Sequence, residues 1–440
     1  MDSEQTNQQK QVNFLLDRLR TKSVGVENKY RYYNAENTFR DFGISVPKKM
    51  VNNKPGIGWA SRAVSTLSDR VVFDGFANDT FGINEMFDQI NAKRVLNKAK
   101  TDAHIAGCSF VAVSQSSNGV ALIPFTANEA TGVIDENTGL LSLGLAVLSW
   151  QAPDALGASV VSEPKDYAIF TPEYTAIYKN KKLDSTTKNP TNRTQLHALT
   201  HGSTASQPLG RSRITKTVRR IIQEVARVKR RYEIAGEFYS TPQRYILGTE
   251  QDFTPEQKSR LDSTIGKAWV FSKDDEGDKP EVGQLAQMSI NQFEENKKGL
   301  ARDFCAETAL TLRNLGYETS NPTSAESLSA MSDDLLLEAR ASQDEMGEQI
   351  KQIAITLRLT LNKSNQIPED LENIKAAWRP IFQVDVGAAG DAVYKLIQAM
   401  PELAGSVQVY QMLGMGVREA ESLKAIRDQS SNNNFMVGEQ

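Results

Sequence analysis

His197 and His201, four residues apart in L-H-A-L-T-H-G, are the side chains whose spacing most suggests a metal site. On a helix that spacing turns two imidazoles to one face, as in zinc proteases, which also carry a glutamate directly after the first histidine. Here Ala198 stands in that place and Gly202 follows at once, so strand or surface histidines are expected instead. The third histidine, His104, ends an apolar helical stretch before Gly107 and is expected to be buried and hydrogen-bonded. No His/Cys cluster and no G-x-S-x-G accompanies them, which leaves nucleophilic or metal-assisted catalysis little to work with. Gly266-Lys267 is the sole Gly-Lys pair; Ala268 follows it, and Leu261 occupies the place of a phosphate loop's first glycine. Gly56 and Gly58 open a dinucleotide-like pattern that Ser61 breaks. Asp274, Asp275, Glu276 and Asp278 miss the EF-hand spacing and read as a solvated turn. Cys108 and Cys305, the only cysteines, sit beside apolar residues and are expected to be buried thiols. The expectation is therefore no catalytic residue, no metal and no cofactor: not an enzyme.

Charge is more informative. Between Arg211 and Arg231 stand nine Lys or Arg residues against the single acid Glu224, in a chain whose formal net charge is −3. Ile214, Val218, Ile221, Val225, Val228, Tyr232 and Ala235 alternate four- and three-residue steps through the same stretch. That alternation draws one narrow apolar seam down a helix, the pattern of like helices packed side by side. A helix this basic must meet negative charge in another segment, another subunit or a nucleic acid. Just beyond it, residues 250–281 hold nine acids and five bases, an acidic insert after a basic helix. A pI near 5.9 argues against coating nucleic acid by bulk charge.

The elements around these segments read as α+β. A chain of 440 residues, 39% hydrophobic and 24% charged, suggests two to four soluble domains. No apolar leader and no run of eighteen apolar residues is seen, so neither a secretory signal nor a membrane span is expected. Residues 1–28 read as an amphipathic helix, 58–67 and 83–105 as helices, and 70–76 and 110–113 as strands. From residue 119 to about 200, β-branched runs alternate with turns, with 185–193 and 201–206 expected as polar loops. Residues 290–312 form a second long helix. Asn321-Pro322-Thr323 with Glu326 is a capping-box start for a helix reaching residue 362, with Gly347 a candidate bend. Residues 378–384 read as a strand, followed by three short helices and a disordered tail from Gln429.

Several of these runs also resemble a known family. G-R-S-R-I-T at 210–215, A-G-E-F-Y-S-T-P-Q-R at 235–244, P-E-V-G-Q-L-A-Q-M at 280–288 and N-P-T-S-A-E-S at 321–327 are similar, in order and spacing, to signatures of tailed-bacteriophage portal proteins, of the siphovirus type. Weaker similarity covers G-W-A-S-R-A-V and A-G-C-S-F-V-A-V, so the resemblance runs roughly from Lys29 to Asp385. It implies a portal-like fold: an α/β wing (1–209), a first stem helix (210–240), a small α/β clip (241–288), a second stem helix (289–312), a tunnel loop (313–322), a long bent wing helix with a strand (323–387), and a helical crown with a tail (388–440).

The resemblance further implies a ring, of twelve identical subunits in the family, at one capsid vertex of the virion, synthesised in the host cytoplasm. Double-stranded DNA would be packaged and ejected through its channel. Partners would be the terminase large subunit, the major capsid and scaffolding proteins and a head–tail adaptor, with no membrane. Asn314, Tyr317, Glu318, Thr319, Ser320 and Asn321 would face DNA. Arg213, Lys216, Arg219, Arg220, Arg227, Arg230 and Arg231 would lie at subunit contacts, and Asp274, Asp275, Glu276 and Asp278 would help dock the motor. A phage-head hydrolase or nuclease, or a non-phage oligomeric scaffold, stays open as an alternative.

Overall fold

The computed structural model describes residues 2–40, 54–116, 119–151, 163–239, 244–247, 281–284, 289–317, 333–381 and 386–437. They fall into two compact units: Met1–Asn37, Gly58–Arg219 and Thr308–Gln440 in the larger, Thr38–Ile57 and Arg220–Glu307 in the smaller.

In the larger unit α1 (Asp2–Tyr33) is amphipathic, with Val12, Leu15 and Leu19 on its buried side. α2 (Trp59–Ser68), β1 (Phe73–Ala77), α3 (Ile83–Gln89) and α4 (Ala92–Ala106) follow. The single helix expected over 83–105 is broken at Asn91, which takes φ 52°. Asparagine tolerates that left-handed conformation better than most residues. Gly107 ends α4 at φ 103°. Eight strands then run in succession: β2 (Cys108–Ser116), β3 (Gly119–Thr126), β4 (Ala130–Ile134), β5 (Leu141–Trp150), β6 (Pro164–Phe170), β7 (Tyr174–Lys179), β8 (Lys182–Lys188) and β9 (Leu196–Thr200).

They form two antiparallel sheets, ordered β3-β2-β9 and β4-β5-β6-β7-β8. Strand side chains alternate between faces, and the burial follows that alternation. Leu145, Val147, Tyr167 and Ile169 pack with Val12, Leu15 and Leu19 of α1. Ala146, Ala168 and Phe170 point the other way and join Phe110, Ala112, Phe125 and Leu196 of the three-stranded sheet. The larger sheet is thus covered on both faces. Residues 185–188, expected in a loop, belong to edge strand β8; every residue of that strand is exposed, so it shows no apolar alternation.

The smaller unit contains most of α5 (Lys216–Tyr239), the antiparallel pair β10 (Arg244–Leu247) and β11 (Glu281–Gln284), and α6 (Asn291–Thr308). Tyr232 of α5 meets Phe293 of α6 edge to face, with ring centroids 6.3 Å apart. The chain then returns to the larger unit through α7 (Asp333–Asn362), α8 (Glu369–Glu372) and β12 (Lys375–Trp378), which pairs with β1. α9 (Val386–Ala399), α10 (Val407–Met412) and α11 (Val417–Val437) complete it.

α7 is one continuous helix through Gly347, where an added Cβ would sit 3.4 Å from Ala376 and 3.6 Å from the Trp378 indole; the glycine permits close packing of helix on strand. Two expectations differ from the structure. The strand expected over 378–384 is β12, ending at Trp378. The tail expected to be disordered from Gln429 is helical through Val437. The capping box at 321–326 and the clip residues 248–280 lie outside the described residues.

Two glycines with the same left-handed backbone separate conformational strain from crowding. An added Cβ at Gly210 (φ 74°) would collide with the Gly107 carbonyl oxygen and sit 2.7 Å from the His201 carbonyl oxygen, whereas at Gly139 (φ 68°) it would meet nothing within 4 Å. Gly139→Ala is expected to cost about 1 kcal/mol in urea unfolding, the φ penalty alone. Gly210→Ala should cost more than about 3 kcal/mol, because backbone must move as well.

Candidate functional site

The basic helix begins with a cap. Thr215 Oγ1 accepts the Val218 amide at 3.1 Å, satisfying one of the free N–H groups of the first turn. α5 therefore starts at Lys216 rather than Gly210. Ile214, Val218, Ile221, Val225 and Ala235 are buried as the seam requires, but Tyr232 is 38% exposed, and Ile222, Ala226 and Arg230 join the buried side. The covered stripe is wider than a two-position seam, the form a helix takes when it packs within a globular body.

The cations divide in the same way. Arg213 is buried and its guanidinium contacts Glu338 and donates to the Thr308 carbonyl at 2.6 Å. It was expected at a subunit contact; instead it is engaged inside its own chain. Arg219 donates to the Thr215 carbonyl at 3.3 Å and lies 6.0 Å over the Tyr32 ring. Arg230 is 4% exposed, 5.0 Å over the Phe39 ring. Glu224 serves Arg220 at 3.1 Å and Arg227 at 3.9 Å. Lys216, Arg220, Lys229 and Arg231 are exposed.

Ahead of α5, residues 209–215 form a strap stitched to the larger unit through its backbone. The Arg211 amide donates to the His201 carbonyl at 2.7 Å and the Arg213 amide to the His104 carbonyl at 3.0 Å. Ser212 Oγ donates to the Ile105 carbonyl at 2.5 Å. The G-R-S-R-I-T signature is thus a backbone splice joining the ends of α4 and β9.

α7 secures that splice with a row of polar side chains at helical spacing. Glu338 contacts Arg213, and Ser342 Oγ lies 3.0 Å from His104 Nε2. Glu345 accepts the Thr200 hydroxyl at 2.6 Å and the Gly202 and Ser203 amides at 2.8 and 3.2 Å. Gln349 Oε1 accepts the Thr200 amide at 2.8 Å. Gln352 accepts from the Arg193 guanidinium, Thr356 Oγ1 accepts from Arg193 Nε at 3.2 Å, and Thr360 donates to Gln195 Oε1 at 3.1 Å. Steps of three and four residues keep these positions on one face. They extend over roughly 33 Å of helix at the usual rise.

The histidines belong to this region rather than to a metal site. His197 lies on β9, 4% exposed, so the surface reading fails; burial holds its pKa down to about 3. His104 is buried with Ser68 Oγ 2.6 Å from Nδ1, as expected, and burial drives its pKa well below the ordinary range. Lys100 donates to the Ser68 carbonyl at 2.7 Å, and burial lowers it to about 8. Both cysteines are buried thiols pushed up to about 11 by burial. Among the described residues no group of three His, Cys, Asp or Glu is placed to hold a metal ion, and no helix is long and apolar enough to cross a membrane.

Of the residues expected to face DNA, Asn314 and Tyr317 are described. Asn314 accepts the Thr311 amide and hydroxyl at 2.9 and 2.8 Å, and its carbonyl takes Arg62 Nε at 3.0 Å. With Thr311 it forms the capping box of the 3₁₀ turn Leu312–Leu315. Tyr317 is half-buried. Glu318, Thr319, Ser320 and Asn321, with Asp274, Asp275, Glu276 and Asp278, lie outside the described residues.

No protein-family model matches the chain. It is similar to the portal protein of Mycobacterium phage D29, 22% identical over 415 residues that span 89% of this chain and 83% of that one. It is also similar to the portal protein of Mycobacterium phage L5, 21% identical over 421 residues, with 89% and 83% covered. Among solved structures, a chain of the neck of a native GTA particle computed with C12 symmetry is similar at TM-score 0.46 and 13% identity, over 84% of this chain and 95% of that one. The chain is a homologue of mycobacteriophage portal proteins over most of its length.

Removing one member of the Arg213–Glu338 pair leaves a guanidinium that is 3% exposed without its carboxylate. Glu338→Ala is expected to cost about 3 kcal/mol in chemical denaturation. Arg220→Ala breaks an ion pair whose arginine is 82% exposed and should cost no more than about 0.5 kcal/mol. Equal losses would contradict the burial argument.

Proposed function

We propose that this protein is the portal of a tailed bacteriophage: identical copies close into a ring at one capsid vertex, and double-stranded DNA passes through its channel during packaging and ejection. The observation that carries the reading is the similarity to portal proteins along 89% of the chain. The helix, antiparallel strand pair and helix of α5, β10–β11 and α6 support it, being the order of elements a stem–clip–stem excursion requires.

On this reading α5 and α6 are the stem, and the exposed cations Lys216, Arg220 and Arg231 meet acids of the adjacent copy. Arg213 is left out of that contact, and Arg219, Arg227 and Arg230 enter it only with what their own chain leaves free. The segment after Gly316 is the tunnel loop, with Glu318, Thr319, Ser320 and Asn321 toward DNA. Their small polar and acidic character suits passage, because strong phosphate contacts would brake sliding. The acids Asp274, Asp275, Glu276 and Asp278 help dock the terminase large subunit. Capsid and scaffolding proteins surround the ring, and a head–tail adaptor replaces the motor after filling. The protein is then a virion component that performs no bond chemistry.

Electron micrographs of the purified chain test the core of this. Rings with an open centre are the expected result; strictly monomeric particles at high concentration and at every salt would overturn it. Arg220→Glu with Arg231→Glu should shift sedimentation from ring to smaller species, and unchanged assembly would exclude pairing through those cations. Thr319→Lys with Ser320→Lys should leave rings intact but lower the DNA content of filled particles. Normal genome content would remove the loop from the channel.

A further inference from the structure

The chain has three histidines, and the larger unit buries all of them. Two meet: the rings of His104 and His201 pack edge to face with centroids 4.7 Å apart. They do so where the strap is fastened, since the Arg213 and Arg211 amides donate to the carbonyls of these same residues. Every element around the pair contributes a charged or polar group. α2 and the turn after it bring Ser68, Asp69 and Arg70; α4 brings Lys100; the strap brings Arg213; α7 brings Glu338, Ser342 and Glu345.

The two rings face different surroundings. His104 lies between the hydroxyls of Ser68 and Ser342, with the cations Lys100 and Arg213 nearby, so a proton there is opposed from two sides. His201 faces carboxylates. Its Nε2 is 3.8 Å from Glu338, the acid already taken by Arg213, and its buried Nδ1 has no hydrogen-bond partner among the described residues.

We propose that His201 is a proton-operated latch on the strap, residues 209–215, from which the basic helix departs. Neutral, the ring leaves the Glu338 carboxylate to Arg213 and the strap is held shut. Protonated, the imidazolium competes with Arg213 for that carboxylate and is repelled by the guanidinium, with the His104 ring against its face. The strap loosens while the two sheets stay closed.

The direction follows from burial, the largest influence on His201, which lowers its pKa below the ordinary histidine range despite Glu338. The closed strap is therefore fully stable above about pH 6.5. Its closed-to-open ratio falls by up to about tenfold for each pH unit below that, until the pKa of the closed form is reached.

Hydrogen exchange of the full-length chain, read by mass spectrometry between pH 7.5 and 5.0 and corrected for intrinsic rates, tests this. Protection over residues 211–214 is expected to fall by about tenfold per unit below about pH 6.5, with β5 and β6 unchanged. His201→Gln should flatten that response; the substitution leaves in place the backbone bonds made by residue 201. Uniform loss across the protein, or a strap response that persists in His201→Gln, would overturn the latch. Exchange at the His201 ring Cε1–H gives a second reading without any substitution. Its titration midpoint should lie at the lower end of that fall, where protection levels off; a midpoint at or above about pH 6.5 would overturn the proposal equally.

Discussion

The row of polar side chains from Glu338 to Thr360 is the constraint on which the rest of the larger unit depends. A long helix laid on a sheet edge is ordinarily held by apolar packing, which tolerates sliding because it has no direction. Here Ala339, Met346, Ile350 and Leu357 supply the apolar packing of α7, while the polar row beside them supplies register. Glu345 alone accepts from one hydroxyl and two amides at the end of β9. A shift of one helical residue would leave those donors, and the buried guanidinium of Arg213, without partners, and unpaired buried polar groups are costly. Directional bonds of modest individual strength therefore fix a position that hydrophobic burial alone would leave degenerate.

That fixed position reaches the basic helix through the strap. Arg213 touches both Glu338 and the Thr308 carbonyl at the end of α6. It therefore stands where the chain leaves toward the smaller unit and where it returns. The excursion of residues 220–307 thus has both roots tied at one side chain.

Much of the fold was legible in the sequence, for definite reasons. β3, β5, β6 and β7 declared themselves as β-branched and apolar runs set between turn residues, because one or both of their faces are buried. β8 did not, because all its residues are exposed and no such run marks it. The break at Asn91 was missed because the apolar spacing of α3 and α4 is nearly continuous through it. At the site, the seam of α5 was readable from periodicity, but its partners were not, since a one-dimensional pattern shows which face is covered and not by what. Arg213 was grouped with the other cations for the same reason. The polar row of α7 did carry a signal: Glu338, Ser342, Glu345, Gln349, Gln352, Thr356 and Thr360 recur every three or four residues. A polar stripe is normally read as the solvent face of a helix, which hid its role.

The central claim is that Arg213 and Glu338 act as one unit in holding the strap. A double-mutant cycle with Arg213→Met and Glu338→Leu in equilibrium unfolding tests it most directly. A coupling energy of at least about 1.5 kcal/mol is expected, with the double variant less destabilised than the sum of the singles. Additive losses within about 0.5 kcal/mol would show that the two residues stabilise the protein independently, and the account of the strap would be contradicted.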